Sequence, residues 1–418
     1  MTPHIVLDLS RLMWRAARFA PTGIDRVELA YARHLIATAR DRLSFSGWWG
    51  RLSLLPKEDA ITMIAALDAM WSGSAVDIDA RETVQALIRK LHRHVLLRGE
   101  ASLHRHLAAI RKPIVYLLVS HYRLHRPDGL ERLKRRSGVR VVMLIHDLIP
   151  IQHPEQMPSW QARRHPQRMN AVARLADAVI VNSEGTGEAL RLYLARHGAA
   201  LPIVVAPLGV DLALPRDVVA GAATSPYFTY VATIEPRKNH AVLIEAWREV
   251  RQEFGAAAPK LVLVGRRGFK SGEILDTLHG AAWMQGVVEE HNRLPDAAVA
   301  RLVGGACAAV YSSVAEGFGL PVAEALALGV PVLCSDVAEL REVGRDVPEY
   351  LDPRDPAAWA RAIADYARPG SSRRRRQLER LRTWEPPSWS DHFRLVQPLI
   401  DGAPAPAASR PLAAGAAP

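Results

Sequence analysis

Short, almost wholly apolar runs recur along the chain, with amphipathic stretches between them. The first run, HIVLDL at 4–9, has no alternation and reads as a strand buried on both faces. A polar loop with a glycine follows, RFAPTGIDRVE. From Asp25 to Arg40 the apolar residues Val27, Leu29, Ala30, Leu35 and Ile36 return at helical spacing. Strand, glycine loop and helix predict the opening of a Rossmann-like half. No GxGxxG accompanies it, so the dinucleotide fingerprint is absent. Residues 57–112 read as largely helical, with Val84, Leu87, Ile88, Leu91, Val95 and Leu96 on the apolar face and Arg89, Lys90, Arg93 and Arg98 between them. IVYLLVS (114–120) and VRVVMLIHD (139–147) are strands separated by the helix LERLKRRSG. A helix near 160–176, strand AVIVNS (178–183), helix SEGTGEALRLYL and strand IVVAPLGV complete the unit. This alternation predicts an α/β fold: a parallel sheet with helices on both faces.

The segment LALPRDVVAGAATS (212–225) interrupts the alternation and marks a domain boundary. It restarts with YFTYVAT, HAVLIEAWREVRQEF, KLVLVG, DAAVARLVGGA, AAVYSS, PVAEALALG and PVLCSD, which alternate strand and helix. The expected domains are 1–212 and 225–370. A helical segment at 371–401 follows, with an arginine run and a Trp-rich stretch. The low-complexity tail 402–418 is expected to be disordered.

Composition narrows the function classes. With 49% hydrophobic and 23% charged residues, the 418-residue chain is neither disordered nor collagen-like. Two cysteines, Cys307 and Cys334, exclude a disulfide scaffold and a four-thiolate zinc site. No uncharged apolar run reaches the ~20 residues of a membrane span. The first residues lack a basic region followed by an apolar core, so no secretory leader is expected. The net charge of +11 is uneven: residues 1–212 hold 30 Lys+Arg against 19 Asp+Glu, and the remainder holds 24 of each. An anionic partner would therefore meet the first half. A nucleic acid is not expected, because zinc-finger, RNP and helix-turn-helix signatures are missing and Trp48, Trp49, Trp71 and Tyr122 do not interleave with the basic runs.

The strongest chemical signal is SSVAEGFGLPVAEALALGVPVLCSD, 312–336. A strand runs into a glycine loop, and Pro321 suits the first helical position, where no amide partner is needed. The open N–H groups around Gly319 and Leu320 then form an anion site at a helix N-terminus. Glu316 stands at the loop entrance and Glu324 in the expected first helical turn, where carboxylates can accept from sugar hydroxyls. ATIEPRKNH (232–240) sets Arg237 and Lys238 at the carboxyl end of a strand, where adjacent cations suit a diphosphate. VGRRGFK (264–270) is a further glycine turn on the same edge, and IHDLIPIQHPE ends the strand 139–145 with His146-Asp147. Taken alone, each has a plainer reading as a capped turn, solvated charge or structural histidine.

Together these blocks resemble the retaining glycosyltransferases of family 4, whose E-x7-E motif EGFGLPVAE (316–324) matches. TIEPRKNH, VGRRGFK, HDLIPIQHPE, VNSEGTGE and APLGVD follow in that family's order. The resemblance implies the GT-B fold, two Rossmann-like domains facing across a cleft, with the last helical segment crossing back to the first. It implies that Glu316 binds the donor sugar's hydroxyls and that Phe318, Gly319 and Leu320 offer backbone amides to sugar and phosphate. Glu324 would bind the ribose. Lys238, with Arg237 beside it, would hold the diphosphate. Gly23 would approach that diphosphate, and His146 would sit near the reacting end of the sugar. Where many relatives carry an Arg just before this lysine, Thr233 stands here, so the arginine that completes the diphosphate grip stays open. The expected activity is hexose transfer from a nucleotide-sugar, with a lean to GDP-mannose, to a glycan or lipid-linked acceptor. Such a transferase would be cytoplasmic and could lie on the inner face of the plasma membrane, with its basic stretches at 84–98 and 130–140 on anionic lipid. A sugar phosphorylase or epimerase on the same fold is the alternative.

No cofactor is expected, the nucleotide-sugar being a co-substrate, and no metal. The one DxD match, Asp77-Ile78-Asp79, lies between expected helices, and the pairs His92/His94 and His104/His106 do not share a helix face.

Overall fold

The chain builds two sheets, each wound outward in both directions from its centre. The computed structural model describes residues 2–16, 21–72, 78–210, 226–280, 282–292 and 294–403. β1 (His4–Asp8), β2 (Leu43–Trp48), β3 (Leu52–Leu55), β4 (Ile114–Leu118), β5 (Arg140–Ile145), β6 (Ala178–Val181) and β7 (Ile203–Val205) pair in the order β3-β2-β1-β4-β5-β6-β7. β8 (Tyr227–Val231), β9 (Lys260–Val264), β10 (Val288–His291), β11 (Ala308–Tyr311), β12 (Val332–Ser335) and β13 (Glu349–Leu351) pair as β10-β9-β8-β11-β12-β13. Among the described residues every strand pairing is parallel except β2 with β3. Central strands such as β6 and β11 are buried at every position, as helices on both faces require.

The antiparallel β3 departs from the expected all-parallel sheet. The hairpin β2–β3 carries serines at inward positions: Ser44, Ser46 and Ser53 are all buried. Ser44 Oγ bonds His106 Nε2 at 2.7 Å and Ser46 Oγ bonds the Tyr116 hydroxyl at 3.0 Å. Satisfied hydroxyls can replace apolar side chains in a strand, and apolar periodicity does not register them. Leu96 also departs from expectation. It is exposed, as is Leu97, while Val84, Leu91 and Val95 of the same helix (Ile78–Ala108) are fully buried.

The helix Trp389–Ile400 lies against the first sheet's domain. Tyr31 O–H donates to His392 Nε2 at 2.7 Å, and His392 Nδ1–H points at the carbonyls of Ala206 and Pro207. Val210 N–H donates to Pro387 O, and Arg42 pairs with Asp401. The expected linker at 212–225 falls wholly outside the described residues, as do Asp77 of the DxD match and residues 404–418 of the tail.

In each sheet the winding direction reverses between two neighbours, β1 and β4 in the first and β8 and β11 in the second. A crevice opens at the carboxyl ends of such strands because their outgoing loops diverge.

Candidate active site

The reversal in the second sheet brings together the loops that follow β8 and β11. Ser312 Oγ and the Tyr230 hydroxyl both donate to Lys238 O, at 3.0 and 2.5 Å, and Val314 N–H donates to Arg237 O at 3.0 Å. The backbone of 236–239 is thus pinned to that of 312–314, which aims three charged side chains at one point. Lys238 Nζ lies 2.5 Å from Glu316 Oε1, and Arg237 Nη1 lies 3.1 Å from Glu316 Oε2. Arg237 also donates to Ala315 O and Glu235. Burial alone would raise the Glu316 pKa. The Lys238 ammonium and Arg237 guanidinium outweigh it and hold the carboxyl down at about 2.

Gly319 sits at φ +93 and caps the helix Leu320–Ala327. A Cβ there would meet Leu340 Cδ2 at 2.4 Å, so conformation and space both require glycine. Leu320, not Pro321, is the first helical residue, and Glu324 opens the second turn rather than lying in the first. Proline is accepted at the second position for the same reason as at the first, since that amide is also unpaired. Among the described residues no backbone carbonyl takes the N–H of Phe318, Gly319 or Leu320. The Phe318 side chain is buried, so only its backbone is presented. Glu324 faces Arg26 and Asp296, and burial raises its carboxyl to about 7 despite Arg26.

The first domain closes over this loop. A Cβ on Gly317 would lie 2.3 Å from His146 O, and Gly317 O accepts from Ser183 Oγ at 2.6 Å and Thr186 Oγ1 at 3.2 Å. A Cβ on Gly23 would lie 3.9 Å from Leu320 Cδ2. Arg26 bridges to Asp296 by two 2.7 Å bonds. The nine site residues named from sequence therefore gather at one cleft between the sheets. His146 is buried; its Nε2–H donates to Val119 O at 2.8 Å and its backbone N–H to His121 Nε2 at 3.0 Å. Burial lowers its pKa to about 4, so the ring is neutral near pH 7 and Nδ1 holds the lone pair.

Several residues at this cleft are ones the sequence reading missed. Asp25 is fully buried and pairs with both Arg11 and Arg15, each at 3.0 Å. Burial lowers the Arg15 pKa, and Arg266 of the VGRRGFK loop acts on it from the second domain. Thr233 packs against Gly268 of the same loop. The sequence reading gives Asp25 only as the start of a helix, although a lone Asp two residues past Gly23 is a signal that could have drawn notice. Among the described residues no group of three or more His, Cys, Asp or Glu is placed to hold a metal ion. His92 stacks on Trp49, and His104 bonds Ser137.

Known proteins share this architecture. Residues 225–368 match the family model of the group 1 glycosyl transferases, and residues 126–208 match the N-terminal domain of Glucosyltransferase 3-like proteins. The serotype-specific mannosyltransferase WbdA of Escherichia coli is 26% identical over 56% of this chain and 30% of its own length. The O-antigen chain mannosyltransferase B of Escherichia coli is 30% identical over 52% of this chain and 58% of its own. The chain thus spans under two thirds of either relative. Anabaena HepE, solved in complex with UDP and glucose, superposes at a TM-score of 0.60 and 15% identity over 96% of this chain and 98% of that one. The sucrose-phosphate synthase of Thermosynechococcus elongatus does so at 0.60 and 19% over 96% and 100%. The chain thus has the two-sheet GT-B fold of these solved structures, and its residues 225–368 are similar to the group 1 glycosyl transferases.

Proposed function

We propose that this chain transfers a hexose from a nucleotide-sugar to a glycan or lipid-linked acceptor, with retention and without a metal ion. The observation that carries the reading is the Glu316–Lys238–Arg237 cluster beside the open amides of Phe318–Leu320, facing His146 across the cleft. Cleavage of a nucleotide-sugar builds charge on the diphosphate. Fixed cations and helix-terminal amides stabilise that charge most where it is largest, in the transition state. Lys238 and Arg237 supply the charge that a metal would otherwise bring, and Arg15 and Arg266 complete the grip from the two sides of the cleft. Glu316 accepts from sugar hydroxyls, and Glu324 from the ribose. The mannosyltransferase names of the relatives support mannose as the sugar, and the UDP complexes of HepE support a nucleotide donor. Retention rests on the resemblance to family 4.

The test is thermal unfolding of the full chain with GDP-, UDP- and dTDP-sugars in EDTA. One nucleotide is expected to raise Tm by roughly 5 °C at saturation, with sugar transfer surviving EDTA. A donor response that appears only with added Mn²⁺ would overturn the metal-free reading, and no response to any nucleotide the whole of it.

No helix among the described residues is long and apolar enough to cross a membrane. The place of work proposed here is the surface of an anionic bilayer on the cytoplasmic side. Exposed Leu96 and Leu97, with Trp49 40% exposed nearby, lie among exposed Arg93 and Arg98. Apolar side chains flanked by cations suit the headgroup region of acidic lipid. The chain is expected to co-float with phosphatidylglycerol vesicles and not with phosphatidylcholine, and to be released by about 0.5 M salt. Equal flotation with both lipids would sink the idea.

A further inference from the structure

Beside His146 the first domain gathers cations that its own carboxylates do not match. The His121 ring lies 5.5 Å from that of His146 and 5.1 Å from that of His165. One turn beyond His165, on the helix Ser159–Leu175, stands Arg168. Among the described residues Arg168 makes no ion pair, and its Nε is buried without a hydrogen-bond partner. The charges acting on it are Arg164, Arg11 and, opposing them, Asp147. Arg123, after β4, also has a buried and unpartnered Nε, and its guanidinium lies 3.3 Å from the centre of the Trp48 ring. His125 Nδ1 is buried and unpartnered as well, with Arg168, Arg164, Arg123 and Arg126 all acting on that ring. Next to them Tyr122 stacks on Trp14 at 5.5 Å, and Trp14 is 46% exposed.

Gathering like charges in a half-buried place costs free energy, and so does leaving buried donors unbonded. Both costs vanish when a ligand brings negative charge and several acceptor oxygens. A phosphate does this better than a carboxylate, since it carries up to two charges and more acceptor oxygens for guanidinium forks. We propose that Arg168, Arg123 and His125 form the acceptor subsite of the cleft, that they bind a phosphate group of the acceptor, and that the Trp14–Tyr122 stack packs against its sugar or isoprenoid part. The proposal rests on the glycosyl-transfer reading for the opposite wall of the cleft. It also gives the charge excess of residues 1–212 a local address, because Arg123, Arg126, Arg164 and Arg168 all act on the His125 ring.

The phosphate can belong to a free sugar phosphate or to a lipid diphosphate, and calorimetry on the full chain separates the two. With the donor loops saturated by a nucleoside diphosphate, the chain is titrated with a hexose 1-phosphate, with the uncharged hexose and with farnesyl diphosphate. At least one phosphorylated probe is expected to bind and the uncharged hexose not. Arg168→Gln is expected to weaken that binding at least tenfold, and Arg168→Lys to recover most of it. Tm of Arg168→Gln is expected to equal or exceed that of the parent, because a cation among cations has been removed. The probe whose affinity depends on Arg168 identifies the source. If neither phosphorylated probe binds, if neither depends on Arg168, or if the hexose binds as well as its phosphate, the subsite is wrong. Failure of the parent chain to bind any nucleoside diphosphate would instead count against the glycosyl-transfer reading, and the same titrations without nucleotide still decide the subsite.

Discussion

Glu316→Gln is expected to lower sugar transfer by about 10²- to 10³-fold while nucleoside diphosphate binding stays within a few-fold of the parent. The amide keeps the size of the side chain and loses its charge. In the native site the carboxylate lies 2.5 Å from Lys238 Nζ and 3.1 Å from Arg237 Nη1, with about 13% of its side chain exposed. It pairs with both cations and, in the proposed reaction, would accept from sugar hydroxyls. The amide oxygen of Gln can still accept from one of them, so the proposed diphosphate grip of Lys238 and Arg237 is largely kept and the expected loss falls on kcat. Stability falls too, because removing one partner of a buried ion cluster strands the others, at a cost of about 3–5 kcal/mol. The Glu316 pKa is depressed from 4.5 to about 2. Its contribution to stability is therefore complete above pH 4.5 and lost as pH falls through 2, with no change near neutrality. Steady-state kinetics, calorimetric titration with the nucleotide and thermal unfolding measure the three effects. Transfer within a few-fold of the parent would remove Glu316 from the reaction.

The alternation of apolar runs with amphipathic stretches was enough to place β1, β4 to β7 and the strands flanking the glycine loops, because parallel strands covered on both faces show as unbroken hydrophobic runs. The hairpin β2–β3 was hidden because Ser44, Ser46 and Ser53 lie inside, with hydroxyls bonded rather than excluded. The second domain's loops were legible for a similar local reason. Glycine, proline and paired charges within a few residues of a strand end report loop geometry without distant partners. What could not be read was the wall opposite. Arg26 and Asp296 are 270 positions apart, and Ser183 and Gly317 are 134 apart. Their pairing depends on how two sheets dock, which no local period encodes. Asp25 was hidden at shorter range, since its partners Arg11 and Arg15 lie on a separate helix, Ser10–Arg15.

The docking of the two sheets predicts a strong effect for Gly317→Ala, a substitution that alters no charge and no hydrogen-bonding group. The new methyl would lie 2.3 Å from His146 O and 3.1 Å from Asp147 Cβ. The nearer atom is backbone, and it is itself held, since His146 O accepts from Asn182 Nδ2 at 3.0 Å. The loop cannot retreat freely either, because Gly317 O is fastened to Ser183 and Thr186. The domains must therefore separate by about 1 Å, and displacements of that size at a reacting centre cost about 10²-fold in rate. The residues proposed to grip the diphosphate from the second domain move with their own sheet, so nucleotide affinity is expected to change only a few-fold while kcat falls by about 10². Ser183→Ala supplies the comparison: it removes the 2.6 Å bond without adding bulk and is expected to cost about tenfold or less. A loss shared equally by both variants would trace the effect to the hydrogen bond rather than to contact with His146. Parental kcat in Gly317→Ala would mean that the chain turns over without bringing this loop against His146.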